Sequence, residues 1–235
     1  MLGAVGFAVV LASALLSAAL PASTGSSNVP DRGLEATTPT TDTEALVGLL
    51  TFSPRRSDAA VNRLAQRFPQ FGTVERRRRF FAARLRDFRA MVNRYGMLPN
   101  DLATADAFAI VAGYRAYNGA RLSDPVSARI LLASVAVRIA SDEGGAPWSD
   151  DRKQARYETV GGEAAALNWS LERAMERGDA ASMKAVRSWA HAMLRRELGR
   201  EPSGVTPDTY ACISYRDAPC ADVIRALREE FATPQ

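Results

Sequence analysis

The stretch at residues 73–96 reads TVERRRRFFAARLRDFRAMVNRYG and predicts a long amphipathic α-helix. Its apolar side chains recur at spacings of three and four residues, which places them on one helix face. They are Val74, Phe81, Leu85, Phe88, Val92 and Tyr95. Thr73 is a typical N-cap residue, and Gly96 is a typical terminator. One face of this helix should therefore pack on a core while the other carries arginines into solvent.

The same combination of caps and apolar spacing continues along the chain. Further helices are predicted at about 58–68, 101–118, 125–139, 150–177, 180–198 and 220–231. Aromatic residues make up only 8% of the 235 residues, and alanine is common where a sheet would use β-branched residues. We predict an all-α fold, a compact bundle of about seven helices in one domain over residues 46–235. Gly161-Gly162 in mid-helix predicts close packing against another backbone there, or a kink.

The N-terminal residues 1–22 resemble a secretory signal peptide. Their uncharged run ends in small residues suited to cleavage after Ala22. The start has no Lys or Arg, so an uncleaved N-terminal membrane anchor stays open as the alternative. Residues 23–45 are rich in Ser, Thr and Pro and predict a disordered linker. The protein is expected to be secreted or periplasmic.

The two cysteines agree with export. Cys212 and Cys220 are separated by seven residues, close enough for a local disulfide that would contribute about 2–3 kcal/mol. That spacing does not fit a redox CxxC pair. With a single histidine, His191, the chain cannot form a His₃, HExxH or Cys₄ metal site. We expect no metal and no cofactor.

Positive charge is concentrated in the first two predicted helices. Residues 55–94 hold twelve arginines against three acidic residues, whereas the whole chain has a formal charge of only +4. The candidate polyanion contacts are Arg76, Arg78, Arg79 and Arg86. Their partners would be an anionic envelope polymer, lipid head groups or extracellular DNA, because export excludes intracellular nucleic acid. A solvated helix face without a partner is the alternative. Phe80 and Phe81 are assigned to the core, so we expect no aromatic platform beside the arginines.

One arginine of the long helix, Arg84, is expected to be partly buried. It lies in mid-helix on the flank of the apolar arc, and a buried cation needs a partner. Asp106 lies on a predicted helix that is apolar nearly all round and therefore central. We predict an Arg84–Asp106 ion pair inside the bundle, or a pocket that both residues line.

No residue pattern in the chain points to catalysis, and no catalytic residue is assigned. The sequence has no GxSxG motif, phosphate loop or dinucleotide fingerprint. Glu158 and Glu163 are about 140° apart on one helix and do not converge, and His191 is expected on a solvated basic face. A non-catalytic binding module is the preferred interpretation. The alternatives are a carboxylate-dependent hydrolase with an inter-helix cleft, and a self-associating structural protein or protein-partner surface around Trp169.

One motif carries a family resemblance. Residues 95–103 read YGMLPNDLA, and with Gly113-Tyr114 and Asn118-Gly119 they resemble a family of secreted bacterial proteins that is known only as a domain of unknown function. The LTFS segment at residues 50–53 is similar to the start of that family and is expected to dock on the domain. The resemblance covers about residues 46–210. It implies a helical domain behind a signal peptide, and it implies no activity or site residue.

Overall fold

The computed structural model describes residues 49–120, 125–142, 148–214 and 219–232. The predicted signal peptide, 1–22, and linker, 23–45, lie outside the described residues. Within the described part the fold is all-α, as predicted. The helices are α1 (Ala59–Arg67), α2 (Val74–Arg94), α3 (Leu102–Asn118), α4 (Pro125–Asp142), α5 (Asp150–Arg177), α6 (Ala180–Leu198), α7 (Ala211–Ser214) and α8 (Cys220–Ala232). All but the single turn α7 correspond to a predicted helix.

Local side-chain chemistry explains where these helices begin and end. Thr73 Oγ1 accepts a hydrogen bond from the backbone N–H of Arg76, so α2 begins as predicted. The N-cap of α3 is Asp101, whose carboxylate accepts from Thr104 N, so this helix begins one residue later than the predicted range 101–118. Gly119 ends α3 in the left-handed conformation that glycine adopts without strain.

The central helix of the bundle is α3. It is buried on nearly all sides and packs against α4, α5 and α6. Helices α1 and α2 pack on each other and on α5, and α2 turns four of its predicted apolar residues into the core. These are Phe81, Leu85, Phe88 and Val92. A smaller apolar cluster joins α4 to the C-terminal helices through Ile130, Ala211, Val223 and Leu227.

The chain before α1 docks on the domain, as predicted for the LTFS segment. Leu50 and Phe52 are buried in the main core, and Phe52 N donates to the carbonyl of Asn100 at 3.1 Å. The side chain of Gln154 on α5 both accepts from Arg55 N at 2.8 Å and donates to Arg55 O. Backbone groups of this extended segment are therefore satisfied by the helices it crosses.

The predicted disulfide is present. Cys212 and Cys220 are bonded, with their Cα atoms 4.8 Å apart, and the bond joins α7 to the first residue of α8. Across the part of the chain that the structure describes, no helix is long and apolar enough to cross a bilayer.

The paired glycines of α5 lie where α5 approaches α1 and α2. A Cβ atom on Gly161 would lie 2.2 Å from Cε1 of Phe88, and one on Gly162 would lie 3.0 Å from Cδ1 of Leu64. The predicted close packing is present, but the neighbour of Gly161 is an aromatic side chain and not another backbone. That ring is fully buried and held by Phe108 and Tyr157, with ring centroids 5.2 and 5.0 Å away.

Replacing Gly161 should test this contact. We expect Gly161→Ala to lower the free energy of unfolding by about 1–2 kcal/mol, because an overpacking cost of about 2–3 kcal/mol at the fixed ring outweighs the roughly 1 kcal/mol gained in helix propensity. Urea denaturation measures the change. The matched control is Gly162→Ala, which meets only the movable end of a leucine and should be neutral or stabilising. A Gly161→Ala protein as stable as the control would contradict the packing described.

Candidate functional site

The four predicted polyanion contacts are all exposed to solvent. Within the described residues none of the four forms an ion pair, although neighbouring arginines do. At about 100° per residue, Arg76, Arg79 and Arg86 fall within roughly 80° of one another, opposite the buried side of α2. Arg94 is also exposed and falls in the same sector. Arg78 lies about 100° from Arg79, toward the other flank.

We call Arg76, Arg79, Arg86 and Arg94 the outer arginine face. At 1.5 Å rise per residue it extends about 27 Å along α2. Asp87 borders this face, but its carboxylate is paired with Arg84, Oδ2 to Nη2, at 3.0 Å. The structure thus places at the surface a row of arginines that form no ion pair among the described residues, and such a row attracts anions.

Arginines that point toward α5 behave differently, because they bind its buried carboxylates. Arg89 Nη2 lies 2.6 Å from Glu158 Oε1, and Arg67 Nη1 lies 3.1 Å from Glu163 Oε2. Glu158 and Glu163 have side chains only 3% and 2% exposed and, as predicted, do not converge. Each carboxylate is neutralised by a different arginine, so these arginines stabilise the packing of α1 and α2 on α5.

The predicted Arg84–Asp106 pair is wrong, since the two residues have different partners. Besides Asp87, the Arg84 guanidinium lies over two aromatic rings, 5.2 Å from the Trp169 centroid and 5.5 Å from that of Phe80. We expected the partner of Arg84 to be a carboxylate on another helix. A neighbour three residues along the helix and two aromatic rings stabilise the cation instead.

The partner of Asp106 is Arg156 on α5. Asp106 is buried, and its Oδ2 accepts from Arg156 Nη2 at 2.6 Å and from Nε at 3.2 Å, while Oδ1 has no hydrogen-bond partner among the described residues. Burial raises the pKa of Asp106 from 3.8 to about 6, because desolvation outweighs the attraction of Arg156. Burial alone would lower the pKa of Arg156, but Asp106 and Glu197 raise it above its ordinary value.

The Asp106–Arg156 pair is one end of a longer series of alternating charges. Arg156 Nη2 also lies 3.2 Å from Glu197 Oε2, and Glu197 Oε1 accepts from Arg196 Nε at 2.9 Å. Arg196 Nη2 reaches Glu163 Oε2 at 3.0 Å, where Arg67 also binds. We call this series the charge chain, and its members are Asp106, Arg156, Glu197, Arg196, Glu163 and Arg67.

The charge chain links α3, α5, α6 and α1. Its carboxylates are buried, whereas the arginine side chains are 35–43% exposed. Trp189 Nε1 donates to the second oxygen of Glu163 at 3.1 Å. Asp106 and Glu197 do converge, and both accept from the guanidinium of Arg156. The one sequence signal for this network was the seven-residue spacing of Arg156 and Glu163, which puts both on one face of α5.

The remaining candidates for chemistry are isolated from the charge chain. His191 is half-exposed, with Nε2 2.9 Å from Glu201 Oε2 at the surface. Within the described ranges, no group of three or more His, Cys, Asp or Glu residues is placed to hold a metal ion.

The raised pKa of Asp106 makes a pH-dependent prediction. The folded state binds the proton of the Asp106 carboxyl group more tightly than the unfolded state does. Protonated Asp106 therefore stabilises the fold below about pH 4, and this contribution is lost as the pH rises through about 6. Relative to Asp106→Asn, the free energy of unfolding of the unmodified protein should fall by about 2–3 kcal/mol between pH 4 and pH 7. Urea denaturation of both proteins across this range measures the difference. Parallel profiles of stability against pH for the two proteins would contradict the raised pKa of Asp106.

Comparison with known proteins adds a family. Residues 8–209 match a family of unknown function, DUF6683. Neither the curated proteins nor the solved structures give a significant match to the chain. The match covers most of the 235 residues and includes the YGMLPNDLA stretch, whose last residues form the N-cap and first turn of α3. The chain belongs to DUF6683, a family of unknown function.

Proposed function

We propose that this domain is a non-catalytic binding module that attaches to an anionic polymer through the outer arginine face of α2. The observation that carries the proposal is the division among the arginines. Those facing α5 are paired with carboxylates, whereas Arg76, Arg79, Arg86 and Arg94 are exposed and form no ion pair among the described residues. Cations that do not stabilise the fold remain available to a ligand.

The disulfide supports an extracytoplasmic setting for this role. Bonds such as Cys212–Cys220 persist in oxidising compartments and are rare in the cytosol of mesophiles. The polymers available there are anionic components of the envelope and released nucleic acid. Planar guanidinium groups suit both carboxylate and phosphate, because their N–H groups match two acceptor oxygens at once.

The hydrolase alternative has weaker support. Its acids would have to face a cleft in reach of substrate, with one of them protonated. Asp106 has a raised pKa, but its carboxylate lies on Arg156, and its neighbour Glu197 is held by two arginines. An acid that bridges helices in this way is better suited to holding them together than to protonating a substrate.

Salt dependence with a defined polyanion tests the proposal. The probe is fluorescently labelled inorganic polyphosphate, and binding is followed by fluorescence anisotropy from about 50 to 200 mM salt. Affinity should fall steeply, with a slope of log affinity against log salt near −3, because each phosphate contact contributes about −0.7 to −0.9. The triple variant Arg76→Gln, Arg79→Gln, Arg86→Gln should bind at least tenfold more weakly and reduce that slope by about 2.

A charge-matched control separates the α2 face from net charge. Arg177→Gln, Arg187→Gln, Arg200→Gln removes three exposed arginines from other surfaces and should change the affinity much less. Equal loss in both triple variants would refute a specific face. Binding to vesicles containing anionic lipid without any binding to polyphosphate would also contradict the polymer proposal, and would favour a membrane surface.

A further inference from the structure

An aromatic cluster lies beside the outer arginine face, contrary to the prediction that no such platform accompanies it. Phe81 is buried as expected, but Phe80 is only half-buried. Its ring stacks on Phe71 with centroids 4.6 Å apart and meets Trp169 edge-on at 5.3 Å. Trp169 itself is 37% exposed. Because Phe80 is on α2 and Trp169 is on α5, this contact joins the two helices.

Arginines surround this exposed tryptophan. The guanidinium carbon of Arg84 lies 5.2 Å from the Trp169 ring centroid, and that of Arg173 lies 5.8 Å away. Such cation–π contacts hold both guanidinium groups against the exposed ring. We call Phe80, Arg84, Trp169 and Arg173 the Trp169 cluster.

The Trp169 cluster is continuous with the outer arginine face. Arg76, Phe80 and Arg84 are spaced four residues apart, so they form one row along α2. Trp169 and Arg173 form the same four-residue step on α5, which packs against α2. This row joins the two surfaces, because Arg76 belongs to the outer arginine face and Phe80 and Arg84 belong to the Trp169 cluster. A polymer that lies on the arginines can therefore reach the indole without leaving the surface formed by α2 and α5.

We infer that the anionic polymer is a single-stranded nucleic acid, with bases stacking at the Trp169 cluster and phosphates bound by the outer arginine face. This inference rests on the proposed function. Surfaces that bind single strands combine cations along the backbone with aromatic rings or guanidinium planes for the bases. Polyphosphate and lipid head groups have no flat rings that could stack on an exposed indole. A duplex keeps its base faces stacked internally and cannot present them to a protein.

Two oligonucleotides of equal charge test the inference. One is a labelled oligo-thymidine of about 12 nucleotides, a length within the range of known single-strand sites. The other has the same phosphates and label but abasic tetrahydrofuran residues. Anisotropy titrations should show the unmodified protein binding oligo-thymidine at least about fivefold more tightly, since each stacked base contributes measurably.

Variants of Trp169 locate the stacking site. Trp169→Leu should bring the oligo-thymidine affinity down to the abasic value and leave the abasic affinity unchanged, while Trp169→Phe should retain part of the preference. The matched control is Met175→Ala, which removes another exposed apolar side chain of α5, 60% exposed, and should keep the full preference.

The outcomes distinguish the inference from the function on which it rests. Equal affinity of the unmodified protein for the two oligonucleotides overturns the nucleic-acid inference, even when polyphosphate binds. Failure to bind polyphosphate and both oligonucleotides overturns the proposed function as well. The comparison of ligands on the unmodified protein decides the matter even where Trp169→Leu fails to fold.

Discussion

The three buried carboxylates of the charge chain, Asp106, Glu163 and Glu197, are the constraint that the rest of this fold must satisfy. Burying an unpaired carboxylate costs several kcal/mol, and an ordinary domain has only about 5–15 kcal/mol of stability in total. The charge chain reduces that cost with Arg156, Arg196 and Arg67, each of which reaches in from a partly exposed position. At Asp106 desolvation still outweighs the attraction of Arg156, as the raised pKa shows. Because every carboxylate binds an arginine of another helix, α1, α3, α5 and α6 are fixed relative to one another.

This arrangement also explains why the two faces of α2 differ. The flank of α2 that meets α5 uses Arg89 to neutralise Glu158, and its apolar face seats Phe88 against Gly161. Within the described residues, the arginines of the opposite face form no ion pair with another helix. They therefore contribute no inter-helix ion pair to the described bundle.

Local features of the fold could be predicted from the sequence, whereas the pairing of charges could not. Capping by Thr73, termination at Gly119 and the apolar face of α2 depend on neighbours within a few residues, which the sequence displays directly. The disulfide was predictable because its partners are close in the chain. The partner of Asp106 is 50 residues away, and its choice depends on how α3 and α5 pack. Phe80 was misassigned for a related reason, since its exposure is set by Trp169 on α5.

Ion pairs of the charge chain, and not apolar packing alone, hold these helices together. A double-mutant cycle on Glu163 and Arg196, measured as the free energy of unfolding of Glu163→Gln, Arg196→Met and the double variant, tests it most directly. Each single variant should lose about 2–4 kcal/mol of unfolding free energy. The double variant should lose at least about 1 kcal/mol less than the sum of the two single losses. Strictly additive losses would show that the two groups do not interact, and would contradict the account.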